Sequence, residues 1–273
     1  MSLRRPLVMG VVNLTPDSFS EGGRFTDPDA AVAHALRLVE EGADLLDIGG
    51  ESTRPGAAAV GEAEELRRVV PVIERVRRAS DIPIAIDTMK PGVARAACAA
   101  GAGIWNDVSA LRGPDSLETA VELGCEVVLM HMLGEPRTMQ EDPRYDDVVG
   151  EVCGFLIDRA DEAMAAGVPH EAIRLDPGIG FGKTLEHNLA LLANLDRLVG
   201  LGFPVVLGVS RKRFIRAIDS AAKDAMDRLP GSLAAALAGA AAGVDVLRVH
   251  DVRETAQALK VWGAIDAARS PLP

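Results

Sequence analysis

The chain has 273 residues, 48% of them hydrophobic, and its 40 Asp and Glu outweigh 29 Lys and Arg for a formal net charge of −11. The length suits one barrel domain of about 250 residues, and the acidic balance argues against nucleic acid or an anionic membrane as a partner. Cys98, Cys125 and Cys153 lack metal-ligand spacing and read as reduced thiols. The opening MSLRRPLVMG meets Asn13 and Thr15-Pro16-Asp17 before any leader-like core or span of about 20 residues develops, so a cytoplasmic protein is expected.

In chain order, residues 7–12 are an apolar run, a first strand, followed by a turn-rich loop through Asp27. Residues 29–41 show helical spacing (Ala30, Ala33, Leu36, Val39) and stop at Gly42. A strand over 44–48 leads through the loop 49–61 to a charged, periodic helix over 62–79, where Pro71 predicts a kink or break. Strand 84–86 ends at Asp87, and Pro91 opens a helix to Ala100. Strand 103–105 ends at Asn106-Asp107 and precedes a short helix over 116–123. Strand 126–130 ends at His131, then a polar loop leads to a long helix over 147–166. Strand 173–175 ends at Asp176, with a helix over 185–199. Strand 205–209 ends at Ser210, and an alanine-rich helix over 231–242 stops at Gly243. Strand 246–249 and a helix over 253–268 complete the chain.

Eight apolar runs thus alternate with eight helices. The runs are apolar throughout, as strands covered on both faces should be. The pattern predicts an α/β fold, a (β/α)8 TIM barrel forming one domain over residues 1–273, with a doubly wound open sheet as the alternative.

The segment LDPGIGFGKT, residues 175–184, imitates a nucleotide-binding loop without being one. A phosphate-cradling loop needs Gly, four residues, then Gly-Lys-Thr, and the first position here is Pro177, which has no N–H. What remains is a strand ending in a carboxylate, a glycine-rich bend and a helix. In a barrel, strand ends face one site. They deliver Asn13, then Glu51, Thr53 and Arg54, then Asp87, Asn106, Asp107, His131 and Asp176, then Ser210, Arg211 and Lys212, and lastly Arg248 and His250. Any one alone is as well explained by a turn, a cap or a core hydrogen bond. Asp47, inside a strand, reads as a buried hydrogen-bonding group. Together the rim residues suit a polar ligand. Asp87, Asn106 and Asp176 fit a heterocycle with N–H donors, and Arg54, Arg248 and His250 fit phosphate or pyrophosphate. No Ser-His-Asp set, HExxH or Cys/His metal spacing is present. Mg2+ held partly by substrate phosphates is compatible with so few protein ligands.

NLTPDSFS (13–20), GGESTRPG (49–56), IDT (86–88), NDVS (106–109), DPGIGFGKT (176–184), SRK (210–212), GSL (231–233) and RVHD (248–251) resemble, in order and spacing, the dihydropteroate synthase family. The resemblance implies a TIM barrel that condenses 6-hydroxymethyl-7,8-dihydropterin diphosphate with 4-aminobenzoate to 7,8-dihydropteroate and pyrophosphate, in folate biosynthesis. It implies Mg2+ and a homodimer formed through helices near the C-terminal end. By motif, Asp87, Asn106, Asp176 and Lys212 would hold the pterin. Asn13, Arg54, Arg248 and His250 would take the diphosphate, with Asn13 at Mg2+. Phe19, Thr53, Pro55, Phe181 and Lys212 would line the aminobenzoate pocket, under two closing loops at 15–20 and 52–56. No side chain serves as a covalent nucleophile; loss of diphosphate is SN1-like. Arg213 stands where many members have a serine that holds the aminobenzoate carboxylate, and it could replace that contact or face solvent. The competing readings are a non-catalytic pterin-binding homologue and a methyltetrahydrofolate-binding methyltransferase domain. Lys183 and Thr184 are not expected to be ligands; Thr184 should cap the next helix.

Overall fold

The computed structural model describes residues 5–15, 27–53, 57–136 and 138–268. Its strands are β1 (Leu7–Asn13), β2 (Leu45–Gly49), β3 (Ile84–Asp87), β4 (Ile104–Asp107), β5 (Glu126–Met130), β6 (Ile173–Asp176), β7 (Val206–Gly208) and β8 (Val246–Val249). All pair in parallel in the order β6-β5-β4-β3-β2-β1-β8-β7. A bridge between Leu175 and Val205, with Leu175 N donating to Pro204 O at 2.9 Å, brings the two end strands together and rolls the sheet into the expected barrel.

Around it lie α1 (Pro28–Glu40), α2 (Glu62–Ala79), α3 (Pro91–Ala99), α4 (Ser116–Leu123), α5 (Val148–Ala166), α6 (Leu185–Ala193), α7 (Leu195–Val199), α8 (Arg213–Ile218), α9 (Leu229–Ala242) and α10 (Val252–Ala267). None of the described helices is long and apolar enough to cross a membrane. Pro71 does not break α2, which runs through it. Pro71 and Arg67 are exposed, so the carbonyl that loses its helical partner is on the solvent side, while Val69, Val72, Ile73 and Val76 keep the inner face packed. The helix expected over 185–199 is two pieces hinged at Asn194, whose side chain donates to Ala190 O at 2.8 Å. The short α8 was not anticipated.

Two cores form. One lies between strands and helices; the other fills the barrel with Met9, Leu45, Ala85, Ile104, Val128, Val206 and Val246. Side chains return to the same face of a strand every second residue. Two residues beyond that apolar plug, the inward positions are therefore Val11, Asp47, Asp87, Asn106, Met130, Gly208 and Arg248, with Asp176 beside Met130 in register. The strands thus change from an apolar layer to a polar one within a single pleat, and the polar layer is the floor of the site.

Candidate active site

Asp87, Asn106, Asp176, Lys212 and Arg248 line a cavity at the C-terminal end of the barrel, with Thr53, Val108, Met130, Phe181 and Gly208. Gly208 keeps it open: a Cβ there would stand 3.8 Å from Lys212 Nζ and 4.0 Å from Asp176 Oδ2, so any larger side chain would occupy the floor.

Arg248 organises that floor. Its Nε donates to Asp47 Oδ2 at 2.5 Å and its Nη2 to Asp87 Oδ2 at 2.8 Å. Asn106 Nδ2 lies 3.2 Å from Asp47 Oδ1, so Asp47 is the buried hydrogen-bonding group that its place in the strand suggests. Burial alone would lower the Arg248 pKa, but Asp47 and Asp87 outweigh it and raise it. One guanidinium cannot neutralise two buried carboxylates fully. Burial first, and Asp47 next, push Asp87 up to about 7 against the pull of Arg248. Arg248, expected among the diphosphate residues, is thus also the counter-ion of the carboxylates beneath the cavity.

Asp176 accepts from Gly178 N at 2.7 Å through Oδ1. Burial raises its pKa, and Lys212 and the Gly178 N–H oppose that. Lys212 donates to Ile179 O and holds its ammonium 4.6 Å above the Phe181 ring, a cation–π contact. Burial lowers Lys212 to about 8, with Asp176 working against it.

The bend after Asp176 needs its glycines. Gly178 has φ 64°, and a Cβ there would fall 1.9 Å from His131 O; at Gly182, with φ 61°, it would fall 2.7 Å from Leu133 O. Thr184 caps α6 as expected, its Oγ1 accepting from His187 N at 3.3 Å while His187 Nδ1 accepts from Thr184 N. Lys183 points the other way, into the protein. Its buried Nζ meets His131 Nδ1 at 2.8 Å and donates to Phe181 O at 3.0 Å and to His131 O at 3.3 Å. Burial, then Lys212, lowers Lys183 to about 7, and burial, then Lys183, lowers His131 to about 3.

Other rim residues hold the frame. Asp107 accepts from Ser109 N at 2.7 Å and Leu111 N at 2.9 Å, which fastens a turn where Ala110 and Leu111 take φ of 55° and 56°. Arg211 pairs with Asp251 at 2.5 Å, and Ser210 Oγ meets His250 Nδ1 at 3.0 Å. Glu51 binds Lys90 Nζ at 2.5 Å, and Lys90 in turn binds the fully buried Glu65 at 2.6 Å. Asn13 is half-buried at the end of β1, in register with Gly49 of β2. Arg213 is exposed at the start of α8. Phe19, Arg54 and Pro55 lie outside the described residues, as do most of the two expected closing loops. The link from Asp47 to Arg248 and the buried Lys183 were not anticipated. The inward phase of the strands could have signalled the first; nothing local signals the second.

These features define an α/β barrel whose strand ends gather buried carboxylates, an amide and two cationic side chains around one cavity. Residues 9–250 match the family described as pterin binding enzyme. Dihydropteroate synthase of Haemophilus influenzae is 47% identical over 264 residues, 97% of this chain and 95% of that one. The structure of Xanthomonas albilineans dihydropteroate synthase with 4-aminobenzoic acid superposes with a TM-score of 0.92 at 54% identity, covering 99% of this chain and 96% of that one. The same organism's enzyme in complex with 7,8-dihydropteroate gives 0.89 at 51% identity, over 99% and 97%. The chain belongs to the dihydropteroate synthase family of pterin-binding enzymes.

Proposed function

We propose that the described cavity is where the chain performs its family's reaction, joining 6-hydroxymethyl-7,8-dihydropterin diphosphate to 4-aminobenzoate with release of pyrophosphate. The observation that carries the reading is the convergence of Asp87, Asn106, Asp176, Lys212 and Arg248 on one cavity walled by Phe181. The carboxylates of Asp87 and Asp176 take N–H groups of the pterin ring, and Asn106 adds an amide. Arg248 balances the carboxylates and offers its remaining N–H groups to the diphosphate, with His250, Arg54 and Asn13. Phe181, Lys212 and Thr53, with Phe19 and Pro55, line the aminobenzoate pocket.

Among the described residues no group of three His, Cys, Asp or Glu is placed to hold a metal. The amide oxygen of Asn13 is a hard donor that suits Mg2+ when substrate phosphates supply most other ligands. Bound there, Mg2+ would neutralise charge on the diphosphate.

The chemistry asks for no side-chain nucleophile. The C–O bond to diphosphate breaks and the electron pair leaves with the phosphate. The pterin ring shares the positive charge on the methylene carbon, the lone pair of the aryl amine then attacks it to form the C–N bond, and the nitrogen loses one proton to water or to the departing pyrophosphate. The protein contributes position and electrostatics. Asp87 and Asp176 orient the ring and favour its positive charge, and Phe181 and Lys212 hold the amine's ring in line.

The chain is further proposed to act as a cytoplasmic homodimer. All three cysteines are free thiols, which suits a reducing compartment. The small face of α9 packs on its own barrel, where a Cβ on Gly239 would fall 2.5 Å from Leu207. An apolar groove is left between α9 and α10, lined by Leu233, Leu237, Val261, Trp262 and Ile265, with Val261 57% and Ile265 55% exposed. A second copy suits that surface.

Purified protein should release pyrophosphate only when both substrates and Mg2+ are present, and sulfonamides should compete with 4-aminobenzoate. No dihydropteroate from good substrates, with the protein folded and pterin bound, would leave a non-catalytic pterin binder instead.

A further inference from the structure

Lys183 is not among the residues that line the pocket. Its side chain is 3% exposed, and it lies beneath the cavity rather than in it. Burying an ammonium is costly unless every hydrogen finds an acceptor. Here the acceptors are His131 Nδ1 and O, at the end of β5, and the carbonyl of Phe181 itself. In its charged form Lys183 carries three hydrogens, one for each of these contacts. His131 is a suitable partner because burial keeps its ring neutral, and Phe155 packs edge-on against it at 4.9 Å.

The carbonyls of the bend are tied one by one. Gly178 O accepts from Phe181 N at 3.0 Å, Ile179 O from Lys212, and Gly180 O from Gln140 at 2.7 Å. Phe181 O accepts from Lys183, and Gly182 O from Tyr145 at 2.8 Å. Two of these ties come from lysines, and the more deeply buried one, Lys183, is tied at the residue whose ring meets the other, Lys212.

We propose that Lys183 is a positioning residue for the second substrate: its ammonium, held by His131, fixes the backbone at Phe181, sets the ring beneath Lys212 and so sets the shape of the aminobenzoate pocket. The inference rests on the placement of Phe181 in that pocket, proposed above. It assigns a role to the lysine that imitates a nucleotide-loop residue, and that role involves no contact with phosphate.

A double-mutant cycle tests it, with steady-state kinetics for each substrate and calorimetry with a pterin. Lys183→Met keeps the length of the side chain and removes its hydrogens. The expected result is a rise of about tenfold in KM for 4-aminobenzoate, the scale of one or two lost hydrogen bonds. The pterin affinity should stay within about twofold, because Asp87, Asn106 and Asp176 are anchored separately. In a Phe181→Ala background the same substitution should change KM no further, since the group it positions is gone. Additive effects in the cycle, or an equal loss of pterin affinity, would overturn the proposal and make Lys183 a general support of the fold. If Phe181→Ala alone leaves KM for 4-aminobenzoate unchanged, the pocket assignment fails and the inference fails with it. If Phe181→Ala raises KM and Lys183→Met does not, the inference alone fails. Should Lys183→Met not fold, Lys183→Gln, which keeps a donor for one carbonyl, replaces it in the same cycle with the same outcomes.

Discussion

Asp176→Asn isolates the charge of one buried carboxylate with little change of shape. In the native protein Oδ1 accepts from Gly178 N at 2.7 Å and Asp176 lines the cavity, where it can accept from the ligand. An asparagine has two ways to sit. If its oxygen keeps the Gly178 bond, its NH2 faces the ring and sets donor against donor. If its oxygen faces the cavity, its NH2 faces Gly178 N and that backbone donor is left unpaired. Either way one good interaction is lost and a repulsive one replaces it. A hydrogen bond to a charged group contributes about 1.5–3 kcal/mol, and a stranded buried donor costs about 1–3 kcal/mol. Together these come to about 2.5–6 kcal/mol, so the pterin should bind about 60- to 20,000-fold more weakly, at about 1.4 kcal/mol per tenfold. Lys212 also loses the carboxylate that holds up its pKa, which removes charge from the same pocket. Isothermal calorimetry with a dihydropterin measures the loss, and thermal unfolding checks that the protein is folded. The affinity for 4-aminobenzoate in the pterin complex should change much less. A pterin affinity within about threefold of the native value, in folded protein, would refute the assignment of Asp176 to the ring.

Arg248→Ala should weaken binding of free pyrophosphate and also destabilise the fold, by about 3 kcal/mol, because Asp47 and Asp87 are left buried without their cation; urea unfolding reads the second effect. Gly208→Val should leave the unfolding temperature near native and abolish pterin binding, since the first carbon fits at ordinary contact distance but the branches enter the cavity; calorimetry beside a melting curve separates the two. Asp87, pushed up to about 7, accepts best from the ring when ionised, so pterin affinity should fall as pH drops from 8 to 6. The ionised fraction falls by about tenfold over that interval, and the affinity should follow it. In Asp87→Asn that dependence should be lost, measured as Kd against pH.

Most of the fold was legible. α2, α4, β5 and β8 begin and end where apolar periodicity and turn residues place them, because each is bounded by a strong local signal such as Gly61, Pro114 and Asp115, Gly124 or Gly243. The hinge at Asn194 and the six-residue α8 were not. A one-residue deviation leaves the helical period unchanged, and six residues are too few to show a period.

The alternation of strands and helices, the polar residue at the end of each strand and the family those motifs mark are all written in the amino-acid order. All of these are local: they depend on what stands next to what along the chain. Which of the polar groups share one cavity depends on the barrel's closure and its inward phase. Arg248 meets Asp47 and Asp87 only because the ring sets the last strand, β8, beside the first, β1, with β2 and β3 next in order. Lys183 sits beside a glycine-rich turn that suggests phosphate, and no neighbour in sequence reveals that it faces inward. That was decided by the backbone: left-handed Gly180 and Gly182 turn the chain over before Lys183, so Phe181 lines the pocket while the ammonium beneath it meets His131.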